Sequence, residues 1–366
     1  MPRGANPPKV GPAPPGAGGL RAVPGDPDPV ADKVPGMATL PARSPALADP
    51  IRSAPGASIL GIGAALPDRV VTNAEVAARA GVSEDWIVAR TGVRERRVAG
   101  EGDRLDTLAA DAGRRALADS GLEAAELDLV LVATMNADEL TPNAAPQVAH
   151  RLGAARAGAL DVGAACTGFL GALGLASGQI ESGRAERALV VGADLLSRLT
   201  DTTDRGTAAL FADGAGAAVV GPASDGASVG PVLLRADGDG ADTIRATHEE
   251  RLIRMQGHDT FREAVRRLAE CTLEATDRAG IGVDEVDLFV YHQANARILA
   301  AVAEKLGLDR GRVIDCIDRY GNTSSATIPV ALAEARDRDL LAPGDTVLLA
   351  AFGAGFTWGA GVIEWA

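Results

Sequence analysis

Aromatic residues are scarce. Phe, Trp and Tyr together make up 3% of the 366-residue chain. A core without many large rings must be assembled from closely packed Ala, Val, Leu and Gly, and hydrophobic residues at 46% supply enough material for one. Lysine is rarer still, 3 residues against 33 arginines, and no long basic run occurs. With a formal net charge of −13, such a chain is a poor binder of nucleic acid. The three cysteines are odd in number and widely spaced, which excludes a disulfide scaffold and shows no zinc-type spacing. That usage fits a reduced, cytoplasmic protein. No apolar run is long enough to span a bilayer, so no membrane segment is expected.

What is abundant is unevenly placed. Fourteen of the 21 prolines precede residue 56. Residues 1–56 read as a disordered extension rich in Pro, Gly and Ala, with no hydrophobic period and no apolar core of a signal peptide. Met37 offers a second possible start. From Ala57 onward, short apolar strands alternate with amphipathic helices. Ser58–Ile62, Asp128–Ala133 and Ala188–Val191 read as strands, and Thr107–Ser120 and Phe261–Ala279 as helices. The alternation predicts an α/β fold.

The chain also repeats itself. GLEAAELDLVLV at 121–132 matches GIGVDEVDLFVY at 280–291. Each match leads to a helix ending in Leu-Gly, at Leu152-Gly153 and Leu306-Gly307. Eight residues beyond each of those glycines comes an aspartate, Asp161 or Asp315, in what reads as a strand. Two duplicated halves follow, 57–225 and 226–366.

Candidate chemistry lies at equivalent strand ends. Cys166, in DVGAACTGF, precedes an apolar segment that reads as a buried helix. The positive end of that helix is expected to lower the thiol pKa. Cys271, in a helix, and Cys316, in a strand, read as buried structural residues. His292 follows the strand that matches Asp128–Ala133, the place where α/β folds put reactive groups. His150, His248 and His258 read as surface. Asn322 follows the Asp315 strand and is expected to be the counterpart of Cys166. Folding the halves about a pseudo-two-fold axis would bring Cys166, His292 and Asn322 together. The Gly-rich AFGAGFTWG (351–359) could offer backbone N–H groups to an oxyanion.

Six motifs in this order resemble β-ketoacyl-acyl-carrier-protein synthase III of the thiolase superfamily: DWIVARTGVRERR, DVGAACTGF, TDRGTAALFADGAGA, HQANARI, DRYGNTSSATIPVAL and AFGAGFTWG. The resemblance runs from about Ser58 to the C-terminus. It implies a five-layered αβαβα thiolase-like fold of two duplicated halves, assembled as a homodimer. It implies an acyltransferase that joins an acyl-CoA primer to malonyl-acyl carrier protein by decarboxylative Claisen condensation. Cys166 would be the acyl acceptor, and His292 and Asn322 the donors that stabilise the enolate. Backbone N–H groups of Cys166 and Ala354 would form the oxyanion hole. Trp86 and Arg90 match an adenine-stacking and phosphate-binding pair, and Arg205, Phe261, Asn295 and Phe352 match residues of the pantetheine tunnel. No cofactor is implied, because coenzyme A enters as part of a substrate.

The chain departs from its relatives at three points. Ala354 stands where Gly is usual, although only its backbone is needed. Thr141 stands where some relatives carry a Phe that the partner subunit inserts at the acyl pocket, which predicts a deeper pocket and primers longer or more branched than acetyl. Glu304 stands where Lys is frequent. Carrier docking is therefore expected on Arg262, Arg297 and Lys305, with Arg266 and Arg267 beside them. This local patch would have to oppose a net charge of −14 on residues 51–366, since residues 1–50 hold five basic and four acidic side chains. The same fold could instead serve an acyltransferase acting on a hydroxyl, amine or carrier thiol. It could also serve a non-catalytic partner subunit, but the complete Cys, His and Asn set weighs against both. The Glu base or second reactive Cys of hydroxymethylglutaryl-CoA synthases and thiolases has no match here.

Overall fold

The structure, a computed structural model, describes residues 56–223 and 227–366. The expected extension, Met37 included, lies outside these residues except for Gly56. The first half contains β1 (Ala57–Ala65), β2 (Val70–Thr72), α1 (Asn73–Ala80), α2 (Glu84–Thr91), β3 (Glu95–Arg97), α3 (Leu105–Ser120), β4 (Leu129–Ala133) and α4 (Ala144–Leu152). It continues with β5 (Gly158–Val162), α5 (Gly168–Glu181), β6 (Ala188–Leu195) and β7 (Asp213–Pro222). The second half contains β8 (Ser228–Val229), β9 (Leu233–Ala236), β10 (Ile244–Arg245), β11 (Arg254–Met255), α6 (Gly257–Ala279) and β12 (Leu288–Tyr291). It ends with α7 (Ala296–Leu306), α8 (Ile317–Tyr320), α9 (Thr327–Asp337), β13 (Thr346–Gly353) and β14 (Thr357–Glu364).

Two five-stranded sheets form the frame. The first has the order β1-β7-β6-β4-β5, with β4 parallel to both β5 and β6. The second has the order β12-β13-β14-β8, with β9 also on β14 and with β12 parallel to β13. Strand alternation distributes the side chains into layers. Val130 and Val132 of β4 face outward onto Ala109, Ala112 and Ala116 of α3 and Val148 of α4. Leu131 and Ala133 face inward onto Phe169 and Leu173 of α5. A strand covered on both faces reads as an unbroken apolar run, which explains DLVLVA. α5 and α9 fill the middle layer, where Ile328 and Leu332 meet Val290, Val347 and Leu349 of the second sheet. Leu268 of α6 and Leu299 and Val302 of α7 cover its outer face against Phe289, Tyr291 and Leu348. The result is the expected five-layered αβαβα arrangement.

Asp161 serves this frame directly. Its carboxylate accepts from Ala144 N–H at 3.0 Å and Ala145 N–H at 2.7 Å, capping α4 from the neighbouring strand. Its expected counterpart differs. The segment around Asp315 is not a strand but a single bridge, Val313 to Phe289. The Gln293 side chain replaces the missing ladder: its Nε2 donates to Ile314 O at 3.2 Å and its Oε1 accepts from Cys316 N–H at 3.1 Å. Cys316 therefore precedes α8 rather than sitting in a strand, although it is buried as expected. No helix among the described residues is long and apolar enough to cross a membrane.

Candidate active site

A cavity of about 430 Å³ opens between the two halves. Cys166, His292, Asn322, Phe352 and Ala354 line it together with Trp86, Arg90, Arg205, Phe261 and Asn295. The sequence places these residues far apart, and the crossing of the halves gathers them.

Cys166 sits in a 3-10 turn, Ala165–Thr167, that leads into α5. Ala165 has φ 46°, in the left-handed region, so the chain turns sharply to present the next residue. β13 passes directly beneath: a Cβ on Gly353 would lie 2.9 Å from Cys166 N, so only glycine fits without displacement. The Ser324 hydroxyl donates to Cys166 Sγ at 3.5 Å. Desolvation pushes the Cys166 thiol up to about 12; the Ser324 hydrogen bond opposes this and the nearby Asp194 charge adds to it. The expected lowering by the α5 N-terminus is therefore outweighed by burial.

His292 begins the loop after β12 and is 2% exposed. Its N–H donates to Ala350 O at 2.8 Å, and its Nδ1 lies 2.6 Å from Thr327 Oγ1. Burial pushes its pKa down to about 3, so the ring is neutral. Thr327 Oγ1 also lies 3.0 Å from Ser324 O, so its single hydrogen serves either that carbonyl or Nδ1, and the ring hydrogen resides on Nε2 in the second case.

Asn322 is locked through its backbone. Its N–H donates to Leu210 O, and its carbonyl accepts from Ala212 N–H, each at 2.9 Å. Its Oδ1 accepts from Ser324 N–H at 2.8 Å. That bond fixes the amide plane and makes Nδ2 the donor end of the side chain.

At the cavity mouth, Arg90 and Arg205 each lie 6.0 Å from the centre of the Trp86 ring. Ser83 caps α2 by accepting from Trp86 N–H at 3.1 Å, which sets the position of the indole. Asn295 lines the cavity but has both ends of its amide engaged. Its Nδ2 donates to Arg90 O at 3.0 Å and its Oδ1 accepts from Arg297 N–H at 2.9 Å. It therefore ties α7 to α2. Arg297 lies 5.3 Å from the centre of the Phe261 ring. His258, read as surface, is exposed and also lines the cavity.

The expected basic patch is smaller than its residue count. Arg262 pairs with Asp259 and Glu263, Arg266 with Glu263 and Glu270, and Arg267 with Asp237 while lying 3.9 Å from the centre of the Trp358 ring. Among the described residues, Arg297 and Lys305 have no acidic partner within 4.0 Å. Thr141 is exposed on the loop before α4 and does not line its own chain's cavity.

Sequence reasoning missed several contributors. Leu196, Leu210, Phe211, Ile253 and Met255 give the cavity its apolar wall. Ser324, Ser325, Thr327 and Asp194 brace the reactive groups. The hydroxyl-rich NTSSAT segment and the lone acid of ALVVGADLL were the available signals.

Known proteins resemble this chain over most of its length. Residues 160–238 match the family 3-oxoacyl-[acyl-carrier-protein] synthase III, and residues 276–365 match that family's C-terminal region. The chain is 44% identical over 326 residues to β-ketoacyl-[acyl-carrier-protein] synthase III 3 of Streptomyces coelicolor, covering 84% of this chain and 97% of that protein. It is 41% identical over 310 residues to the corresponding synthase of Geobacillus kaustophilus, covering 85% and 99%. The crystal structure of 3-oxoacyl-[acyl-carrier-protein] synthase III from Aquifex aeolicus matches with a TM-score of 0.83 at 40% identity, over 85% of this chain and all of that one. The priming β-ketosynthase of the R1128 polyketide pathway matches with a TM-score of 0.83 at 34% identity, over 87% and 98%. With its thiolase fold and this degree of identity across nearly the whole of its relatives, the chain belongs to the β-ketoacyl-[acyl-carrier-protein] synthase III family.

Proposed function

We propose that this enzyme condenses an acyl-CoA primer with malonyl-acyl carrier protein, releasing CO₂ and giving 3-oxoacyl-acyl carrier protein. The product would begin a fatty-acid or polyketide chain. The observation that carries the reading is a thiol, a neutral imidazole and a fixed carboxamide donor facing one apolar cavity.

In the first half-reaction, Cys166 Sγ attacks the primer thioester. CoA leaves as its thiol, taking up the proton that Cys166 gives up. The N–H groups of Cys166 and Ala354 hold the tetrahedral oxyanion. With its thiol pushed up to about 12, Cys166 gives up its proton as the acyl group is attacked.

In the second half-reaction, the malonyl thioester loses CO₂ and its carbonyl becomes an enolate. His292 Nε2–H and Asn322 Nδ2–H donate to that oxygen. Both are neutral donors held in place beforehand, so their contribution grows as charge develops. The carbanion carbon attacks the acyl group on Cys166. The C–S bond breaks, and the Cys166 thiolate leaves and recovers a proton. The scheme calls for no cofactor and no metal.

Trp86 stacks the CoA adenine, with Arg90 serving its phosphates, and Arg205, Phe261, Asn295 and Phe352 line the pantetheine path. Arg297 and Lys305 receive the acidic carrier. The chain forms a homodimer through β5, a sheet edge on which Leu160 is 46% exposed. The partner's acyl pocket would then receive Thr141, leaving room for branched or longer primers. A cytoplasmic location suits three unpaired cysteines.

Intact-protein mass spectrometry of Cys166 acylation across a CoA panel, followed by product analysis with malonyl-acyl carrier protein, tests the reading. The expected result is a covalent acyl adduct that is consumed with CO₂ release. Acyl transfer without CO₂ release would overturn it, and preference for acetyl alone would overturn the Thr141 argument.

A further inference from the structure

The second half repeats the turn that carries the nucleophile. Ser324–Ala326 is a 3-10 turn that leads into α9, as Ala165–Thr167 leads into α5. Its first residue, Ser324, has φ 53°, close to the 46° of Ala165. The 159-residue offset that aligns positions 121 and 280 also carries Ala165 to Ser324 and Cys166 to Ser325. The counterpart of Cys166 is therefore Ser325 and not, as the sequence suggested, Asn322.

Ser325 does not face the cavity. It is 1% exposed, and its hydroxyl donates to Asp194 Oδ2 at 2.7 Å, with Ala133 O at 2.9 Å. Its N–H donates to the same carboxylate oxygen at 3.1 Å. The other oxygen, Oδ1, accepts from Met135 N–H at 3.0 Å and Thr134 Oγ1 at 3.1 Å. Asp194 is itself 1% exposed; burial pushes its carboxyl up, and the groups that oppose this are hydrogen-bond donors with no basic side chain among them. A buried carboxylate without a counter-ion is costly and persists only where such donors surround it.

We propose that Asp194 is a positioning residue for the condensation. Through Ser325 it seats the Asn322–Ser325 segment of the second half on the ends of β4 and β6 of the first. Two groups at the reacting centre depend on that seating. Ser324, the adjacent residue, reaches Cys166 Sγ, and Asn322 is tied to Ser324 N–H. An Asp194→Asn side chain replaces one acceptor oxygen with an NH₂ group. That group would face donors at Ser325 or at Met135 and Thr134, so one side of the latch loses its acceptor.

The inference rests on the proposed role of Asn322, so the experiment separates the two. Asp194→Asn, Ser325→Ala and Asn322→Ala are compared in two assays. One measures Cys166 acylation by acyl-CoA through intact mass. The other measures CO₂ release from malonyl-acyl carrier protein by the acylated enzyme. Circular dichroism checks folding. Asp194→Asn is expected to slow CO₂ release by about thirtyfold through misplacement of Asn322, and to slow acylation by less, about fivefold, through the long Ser324 contact on Cys166 Sγ. Ser325→Ala keeps its backbone bond and is expected to slow CO₂ release by about fivefold. An Asp194→Asn enzyme that releases CO₂ within twofold of wild type, while Asn322→Ala does not, overturns this inference alone. Equal loss of both half-reactions overturns it as well, because a merely structural residue would act that way. If Asp194→Asn does not fold, Ser325→Ala decides by the same criteria. CO₂ release that survives Asn322→Ala overturns the role of Asn322 and this inference with it.

Discussion

The turns at Ala165–Thr167 and Ser324–Ala326 share backbone, position and support, yet only one presents a reactive atom. Each begins with a left-handed residue and feeds a buried helix of the middle layer. Each also rests on a glycine of the opposite half. Gly353 lies under Cys166, and a Cβ on Gly192 would overlap the Ser325 carbonyl oxygen. The difference lies in what meets the second residue of the turn. Cys166 opens on an apolar cavity, whereas Ser325 closes on the Asp194 carboxylate. Duplication thus supplied two equivalent strained turns, and their neighbours left one side chain open to the cavity and closed the other on a carboxylate.

The comparison can be broken at several points. Cys166→Ala removes the proposed acyl acceptor, so condensation measured by product formation should fall by at least about a thousandfold. Gly353→Ala and Gly192→Ala then separate the two turns. Gly353→Ala pushes on Cys166, so the rate of Cys166 acylation should fall by about a hundredfold, with a smaller loss of melting temperature. Gly192→Ala pushes on Ser325, so thermal unfolding should show about 1–3 kcal/mol of destabilisation and CO₂ release should suffer more than acylation.

Ligand and pH effects are smaller. Trp86→Ala should raise KM for acyl-CoA by about tenfold with kcat nearly unchanged, because the indole is remote from the bond being broken. Since His292 is held near 3 instead of 6.5, the pH profile of CO₂ release should show no inflection near 6.5. Fold stability should still decline as pH falls from 6.5 towards 3, because the unfolded imidazole binds a proton that the buried one refuses. Iodoacetamide labelling of Cys166 should still be rising at about pH 9, because its thiol is held near 12.

The sequence was most informative where the signal was local. Apolar runs that follow a helix-ending glycine, Gly121 or Gly280, marked β4 and β12, and the polar residues just after strands marked His292 and the Cys166 turn. It misled where the two halves differ in length. Asp161 stands 5 residues before Cys166, whereas Asp315 stands 10 before Ser325, and α8 takes up the difference. Matching strand to strand therefore stopped at Asn322. Asp194 was missed because an acid at the end of a strand normally looks like a solvated edge, and only tertiary packing reveals the four donors around it. The thiol was misjudged because helix ends are visible in a sequence but desolvation is not.

The reciprocal seating of the turns also bears on how the chain becomes active. Cys166 rests on Gly353, 187 residues later, and Ser325 rests against Gly192, 133 residues earlier. Each turn draws part of its support from the opposite half. Contacts of such long sequence separation form late, after the entropy of closing large loops has been met. Turnover therefore reports on the final docking of the halves, and a folding intermediate with both sheets built but not yet joined would have no catalytic power.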